Sequence, residues 1–203
     1  MLRITTAFLL LSPAIASAQC LTAEAVDAGI TIEYGSGSTS YVQRTEYGTI
    51  IDAYYDRFDY EYYGSIVLFE TIDGVFMARR DQHKNDSWEA MDDDGFEYSF
   101  NTETARPYAP NTSGSGVVTI LDDRYGPEDA SFGWSVYASA PLVVGDCSYE
   151  AVNVFTTEFS LDNGEVYVRE VKYLPELGFG IQTGNSYFVL PVGNGNIVSM
   201  SAS

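Results

Sequence analysis

Apolar and polar residues alternate with a period of two along most of this chain. Near its start, Ile30, Ile32 and Tyr34 alternate with Thr31 and Glu33, which is typical of a strand with one buried face. Similar segments recur between clusters of Gly, Pro, Asn and Asp, the residues that favour turns. The pattern predicts strands at 39–46, 49–55, 61–70, 75–80, 96–100, 117–121, 132–138, 152–161, 165–174, 179–183, 186–190 and 196–200.

The segment 141–183 carries the clearest turn signals. Asn163 and Gly164 separate two apolar-rich stretches, and this dipeptide suits a type I′ hairpin turn because both residues tolerate φ > 0. Pro175 and Gly178 flank a second reversal, since proline presets φ and glycine accepts the left-handed region. The segment is therefore predicted to be an antiparallel β-meander.

Helical periodicity is confined to one short stretch. Thr22 to Ala28 could form one or two turns that end at Gly29, and the segments 81–87 and 101–116 are polar enough to be loops. We therefore predict an all-β fold, a single antiparallel β-meander curved into an open or half barrel, with at most a short N-terminal helix. A β-sandwich is the alternative architecture.

The predicted strand at 61–70 is apolar on both faces. Tyr62, Ile66 and Leu68 share one face, while Val67 and Phe69 lie on the other. A strand of this kind must be covered on both sides or must line a cavity. We therefore expect one face to meet the core and the other to meet a covering layer or a ligand.

The first 18 residues have the features of a secretory signal peptide. Arg3 precedes a short apolar run, and Ala16-Ser17-Ala18 supplies the small residues of a cleavage site. The apolar run is shorter than the roughly 20 residues of a transmembrane helix. We expect a periplasmic or secreted protein without a transmembrane segment, with one all-β domain at 19–203.

Export also predicts a disulfide. Cys20 and Cys147 are the two cysteines of the chain, and cysteines of exported proteins are commonly paired. The bond would tie the N-terminus to the meander at 141–183. Two free, buried thiols are the alternative.

The charge of the chain limits its partners. Ten basic residues face 29 acidic ones, a formal net charge of −19. Nucleic acid is not expected as a partner, because phosphate binding needs a basic surface. The acidity fits either attraction of basic partners or solubility alone.

No sequence pattern indicates a catalytic, cofactor or metal site. His83 is the single histidine, and the segment Gly133 to Tyr137 lacks the final glycine of a serine-hydrolase turn. The acidic turn Asp92 to Gly95 does not have EF-hand ligand spacing, and no glycine-rich nucleotide motif is present. We expect no catalytic residue, no metal and no cofactor.

The tyrosine- and aspartate-rich span 51–63 is the most distinctive stretch of the chain. Glu61-Tyr62-Tyr63 is similar to the Glu-Tyr-Tyr of family-11 xylanases, which would imply a carbohydrate-active enzyme or a sugar-binding module. Aromatic packing across a sheet is the structural alternative. The candidate ligand-facing residues are Tyr54, Phe58, Tyr60, Tyr62, Ile66 and Leu68.

Two separated features resemble a group of uncharacterised exported bacterial β-meander proteins. They are Cys20 followed by a short helix, and Cys147 followed by a Tyr-Leu-Pro-Glu-Leu-Gly segment that begins at Tyr173. At fold level the meander is similar to the half barrel of the outer-membrane lipoprotein carriers, whose concave apolar face holds acyl chains. This resemblance implies a non-enzymatic protein that binds an apolar small molecule, a lipid or a partner protein of the cell envelope.

Overall fold

The structure is a computed structural model that describes residues 20–55, 65–84, 96–100, 108–122, 126–160, 164, 166–185 and 196–203. The predicted signal peptide at 1–18 and the predicted strand at 186–190 lie outside these ranges. The described chain contains one short helix and fourteen strands. None of its helices is long and apolar enough to cross a membrane.

The helix α1 spans Ala23–Ala28 and ends at Gly29, as predicted. The strands are β1 Ile30–Tyr34, β2 Thr39–Arg44, β3 Thr49–Tyr55, β4 Ser65–Ile72, β5 Phe76–Lys84, β6 Phe96–Phe100, β7 Ser113–Asp122, β8 Gly126–Ala138, β9 Leu142–Val144, β10 Cys147–Tyr149, β11 Val152–Ser160, β12 Val166–Leu174, β13 Phe179–Asn185 and β14 Ile197–Ala202.

Twelve strands form one sheet in the order β13-β12-β11-β8-β7-β6-β5-β4-β3-β2-β1-β14, and β9 and β10 form a separate hairpin. All registered pairs are antiparallel, and most neighbours follow one another along the chain, because antiparallel strands can be joined by short turns. The prediction of an all-β, open meander is confirmed. The structure adds the return of β14 to pair with β1.

The two predicted reversals in the second half are confirmed. Strands β11 and β12 pair as a hairpin around Gly164, whose φ is +73°. Strands β12 and β13 pair across the turn that contains Gly178, whose φ is +68°. The Gly178 amide donates to the Leu174 carbonyl at 2.9 Å, which closes this turn.

Two segments predicted to be loops are partly strand. The polar segment 81–87 belongs to β5 as far as Lys84, with Asp81 paired to Leu68. The segment 101–116 contributes Ser113 and its successors to β7, which pairs with β8. A neighbouring strand that offers backbone hydrogen bonds overrides low β propensity at such positions.

One continuous face of the curled sheet lines its interior, and we call it the inner face. Residues paired across antiparallel strands share a face, so the paired series Ile30, Val42, Asp52 and Phe69 runs across β1 to β4 on this face. Ile30 and Val42 are buried. The inner face therefore carries the core.

The edge strand β13 is tucked against the inner face of the first strands. Phe179 and Ile181 belong to the same buried cluster as Ile30 and Val42. The Gly180 amide donates to the Asp73 carbonyl at 2.8 Å, beyond the sheet neighbours of β13. The sheet thus coils over itself, with β13 inside the coil.

Glycine at position 180 allows this close approach. A Cβ placed there would lie 2.5 Å from Cγ1 of Val171 and 3.1 Å from the carbonyl oxygen of Gly74. The turn beside β13 is also held from β2, because Arg44 Nη2 donates to the Leu177 carbonyl at 2.7 Å. Both contacts bring the end of the sheet against its beginning.

The predicted disulfide is confirmed. Cys20 and Cys147 are joined with an S–S distance of 2.02 Å, which connects the segment before α1 to β10. The Leu21 amide also donates to the Tyr149 hydroxyl at 2.9 Å. Cys147 and Tyr149 are both buried in the cluster that contains β1 and β13, so the bond fastens the β9–β10 hairpin to the core.

Candidate ligand cavity inside the curled sheet

A cavity lies where β13 and β12 face the first five strands. Its walls are mainly apolar, with Ile32, Ile50, Phe69, Met77 and Ile181 among them. The volume open to the centres of water molecules is about 30 Å³. Since one water needs ~10–15 Å³ by this measure, the cavity holds about two or three waters, or one small chemical group.

Asp52 is one of two charged side chains in the cavity wall. Strand β3 places it on the inner face, where its Oδ1 is shielded from solvent and has no hydrogen-bond partner in the described part of the chain. Burial, opposed by a hydrogen bond from Ser40, raises the pKa of Asp52 to about 6. A desolvated carboxylate favours its neutral form in this way.

Two tyrosines surround Asp52. The Tyr34 hydroxyl donates a long hydrogen bond of 3.4 Å to Oγ of Ser40, the residue that contacts Asp52. Burial, followed by the charge of Asp52, raises the pKa of Tyr34 far above its usual range. The ring of Tyr54 packs edge-on against Tyr34, with centroids 6.1 Å apart. This part of the wall is therefore closely packed and weakly polar.

Arg169 is the other charged side chain in the wall. Strand β12 places it on the inner face, paired with Thr156 of β11. Its guanidinium has no hydrogen bond and no ion pair within the described residues. Burial lowers the pKa of Arg169, and interactions with Tyr98 and Glu158 oppose that effect. The side chain stays charged, because an arginine does not lose its proton in a protein.

A group of titratable side chains adjoins Arg169 on the inner face. Burial raises the pKa of Glu158, with Arg169 acting against it and Glu128 adding to it. Burial likewise raises the pKa of Tyr98 to about 12. The Ser160 hydroxyl donates to Oε1 of Glu128. The interior is therefore polar beside Arg169 and apolar beyond it.

The structure separates the candidate ligand-facing residues. Tyr54 lines the cavity and is buried. Ile66 and Leu68 lie on the opposite face of the sheet, because Tyr54 is paired with Val67 and the alternation of β4 continues from there. Phe69, one residue beyond Leu68, lines the cavity. Phe58, Tyr60 and Tyr62 lie outside the described residues.

The expectation of a strand buried on both faces is confirmed for β4. Ile66 and Val67 are 2% and 5% exposed although they point to opposite faces. His83 lies opposite Ile66 in β5, which is a strand position rather than the predicted loop. Among the described residues no group of three or more His, Cys, Asp and Glu side chains could hold a metal ion.

Sequence reasoning did not identify Asp52, Glu158 and Arg169 as a set. One signal was present, since each occupies a position that alternation assigns to an otherwise apolar face. For example, Glu158 lies an even number of residues after Val152 and Val154, and Arg169 lies two residues before Val171. Each therefore shares a strand face with those valines. Charged residues at positions of core parity indicate either paired interior charges or a polar site.

In comparisons with known proteins, no protein-family model matches the chain, and neither does any curated protein or any solved structure. The resemblance to exported β-meander proteins and to the lipoprotein carriers therefore stays a prediction.

Replacing Asp52 with Asn is expected to stabilise the protein at neutral pH. The folded pKa of Asp52 lies above the unfolded value of about 3.9, so the folded state takes up a proton first as the pH falls. The free energy of unfolding of the wild type therefore rises as the pH falls from about 7 to about 4. Over this interval the stability advantage of Asp52→Asn over the wild type shrinks by on the order of 2–3 kcal/mol. Urea unfolding of both proteins at pH 7.5 and pH 4.5 measures this difference.

Asp146→Asn is the matched control, because Asp146 is exposed in the turn between β9 and β10. It removes the same charge from an exposed position, and so measures the effect of net charge alone over the same pH interval. A constant difference between Asp52→Asn and the wild type across that interval would contradict the assignment of Asp52 as a buried carboxylate.

Proposed function

We propose that this chain is an exported, non-enzymatic β protein that binds a small, partly apolar molecule in the cavity of its curled sheet. The supporting observation is the cavity wall, which is largely apolar and has two charged side chains, Asp52 and Arg169. Small-molecule sites commonly combine apolar walls with a few well-placed polar groups that orient the ligand.

The size of the cavity defines how a ligand would enter. Its space equals about two or three waters, so one end of the ligand occupies it and the rest of the ligand lies outside the cavity. The best small ligands gain at most about 1.5 kcal/mol per non-hydrogen atom. A ligand with about six such atoms is therefore expected to bind in the micromolar to millimolar range.

The carbohydrate alternative has weaker support in the described part of the span 51–63. Sugar recognition on an aromatic platform would need an exposed ring face. Tyr54 is only 3% exposed, and its ring packs against Tyr34. Asp52 from the same span also faces the interior. The described residues of the span therefore favour a cavity wall over an exposed groove.

The test is a titration of the exported chain with linear alcohols from ethanol to octanol. Binding is detected by NMR as changes in the amide chemical shifts. We expect affinity to rise with chain length and the shifts to concentrate at the cavity strands β3, β4, β12 and β13. Phe69→Trp, which reduces the cavity, should weaken binding at least about tenfold, a loss of ~1.4 kcal/mol. Phe159→Trp is the matched control, because Phe159 is 40% exposed on the outer face.

A second variant covers the case in which Phe69→Trp does not fold. Phe69→Ala enlarges the cavity and should move the preference toward longer or bulkier alcohols. Unchanged binding in both Phe69 variants, or shifts spread over the outer face, would overturn the proposal.

A further inference from the structure

We infer that the ligand of this cavity carries one acidic group, such as a carboxylate, that pairs with the guanidinium of Arg169. This inference rests on the proposed function, since it concerns the same cavity. It names the chemical class of the ligand, an apolar molecule with a single anionic end.

The first support is that the guanidinium of Arg169 has no hydrogen-bond acceptor among the described residues. Its guanidinium carries five N–H donors in a planar fork, and no hydrogen bond or ion pair among the described residues uses them. Arg169 is partly exposed, and its nitrogens are not among the fully buried polar atoms of the described residues that lack a partner, so its guanidinium borders accessible space. Because Arg169 lines the cavity, a ligand or water entering the cavity can reach these donors.

Glu158 does not supply a hydrogen-bond acceptor for Arg169. It interacts with Arg169 electrostatically, but no ion pair of 4 Å or less joins the two side chains in the described structure. Glu158 is also influenced by the like charge of Glu128. It therefore acts on the charged arginine from a distance and accepts no hydrogen bond from it in the described structure.

The shape of the donor group selects an acid over an alcohol. A carboxylate can accept two parallel hydrogen bonds from one guanidinium, and such charge-assisted pairs are about twice as strong as neutral ones. A carboxylate has three heavy atoms, which matches the space of about two or three waters. Val171 and Ile181 in the same wall would contact the adjoining apolar chain.

Asp52 limits the ligand to one acidic end. Its carboxyl group lines the same cavity, and its ionised form repels a second anion at short range. The net charge of −19 also opposes anions, but salt screens exposed charges beyond ~8 Å at physiological ionic strength. Contact with Arg169 therefore determines the preference inside the cavity.

The experiment compares hexanoate, hexanol and adipate, a six-carbon diacid, by NMR titration of the exported chain at neutral pH. We expect hexanoate to bind at least about tenfold more tightly than hexanol, as a charge-assisted hydrogen bond would provide. Adipate should bind more weakly than hexanoate. Arg169→Met should remove the advantage of hexanoate and leave hexanol binding within about threefold, a difference below ~0.7 kcal/mol.

Arg79→Met is the matched control, because it removes the same charge from a half-exposed side chain of β5 that pairs with Asp81. It should retain the preference for hexanoate. Arg169→Lys should restore part of the preference, since lysine keeps the charge but lacks the planar fork. If Arg169→Met does not fold, the double variant Arg169→Met/Glu158→Gln, which removes the charges of Arg169 and Glu158 together, takes its place.

The outcomes separate the two proposals. Hexanol that binds in the cavity without any gain for hexanoate would overturn this inference and leave the proposed function intact. A preference for hexanoate that persists in Arg169→Met would also overturn it. If neither hexanol nor hexanoate perturbs the cavity strands, the proposed function itself fails.

Discussion

Replacing Cys20 and Cys147 with serine is expected to lower the free energy of unfolding by about 5 kcal/mol. The disulfide spans 127 residues, and in the chain-entropy model a longer loop restricts the unfolded state more strongly. For a domain of this size the loss corresponds to a decrease in Tm of roughly 10–20 °C. Urea unfolding and a thermal melt of the disulfide-bonded protein and the variant provide the measurement.

The single variant Cys20→Ser separates the cross-link from the packing of Cys147. Cys147 is 7% exposed in the core, so its replacement by serine adds a cost of its own. Cys20 is exposed, and its replacement should cause most of the loss seen in the double variant. A loss below about 1 kcal/mol in both variants would contradict a stabilising cross-link.

Truncating Phe179 to Ala is expected to destabilise the protein by about 3–5 kcal/mol, the range found for buried phenylalanines. Phe179 is 1% exposed and packs with side chains of β1, β2 and β3. The cost arises because the tucked edge strand β13 closes the core on the inner face. Urea unfolding at neutral pH measures the difference.

Phe159→Ala is the control for this truncation. Phe159 has the same side chain, but it is 40% exposed on the outer face of β11, so its loss should cost under about 1 kcal/mol by the area it buries. Equal losses for the two variants would mean that β13 does not pack inside the sheet.

Turns and face alternation were readable from the sequence because they depend on neighbouring residues. The Asn163-Gly164 pair placed the β11–β12 hairpin, and the Pro175 to Gly178 turn placed the next reversal. Two cysteines in a chain with a predicted signal peptide were enough to predict the disulfide. Segment lengths were less certain, since β5 and β7 extend into polar stretches that a neighbouring strand stabilises.

The assignment of candidate ligand-facing residues shows where this reasoning stopped. Alternation correctly placed Ile66 and Leu68 on one face of β4 and Val67 and Phe69 on the other, but it gave no preference for either face. The register with β3 places Phe69 beside Asp52, so the cavity lies on the face opposite Leu68. A strand that is apolar on both sides contains no local signal for this choice.

What the sequence determined by itself was therefore local: strand positions, tight turns, the short helix and the paired cysteines. Only the tertiary structure decided that β14 returns to β1, that β13 lies inside the coil, and that Asp52 and Arg169 share one cavity. Asp52 and Arg169 are far apart along the chain, and their approach depends on the accumulated twist and curl of twelve strands. That curvature is a property of the whole sheet, so no short stretch of sequence encodes it.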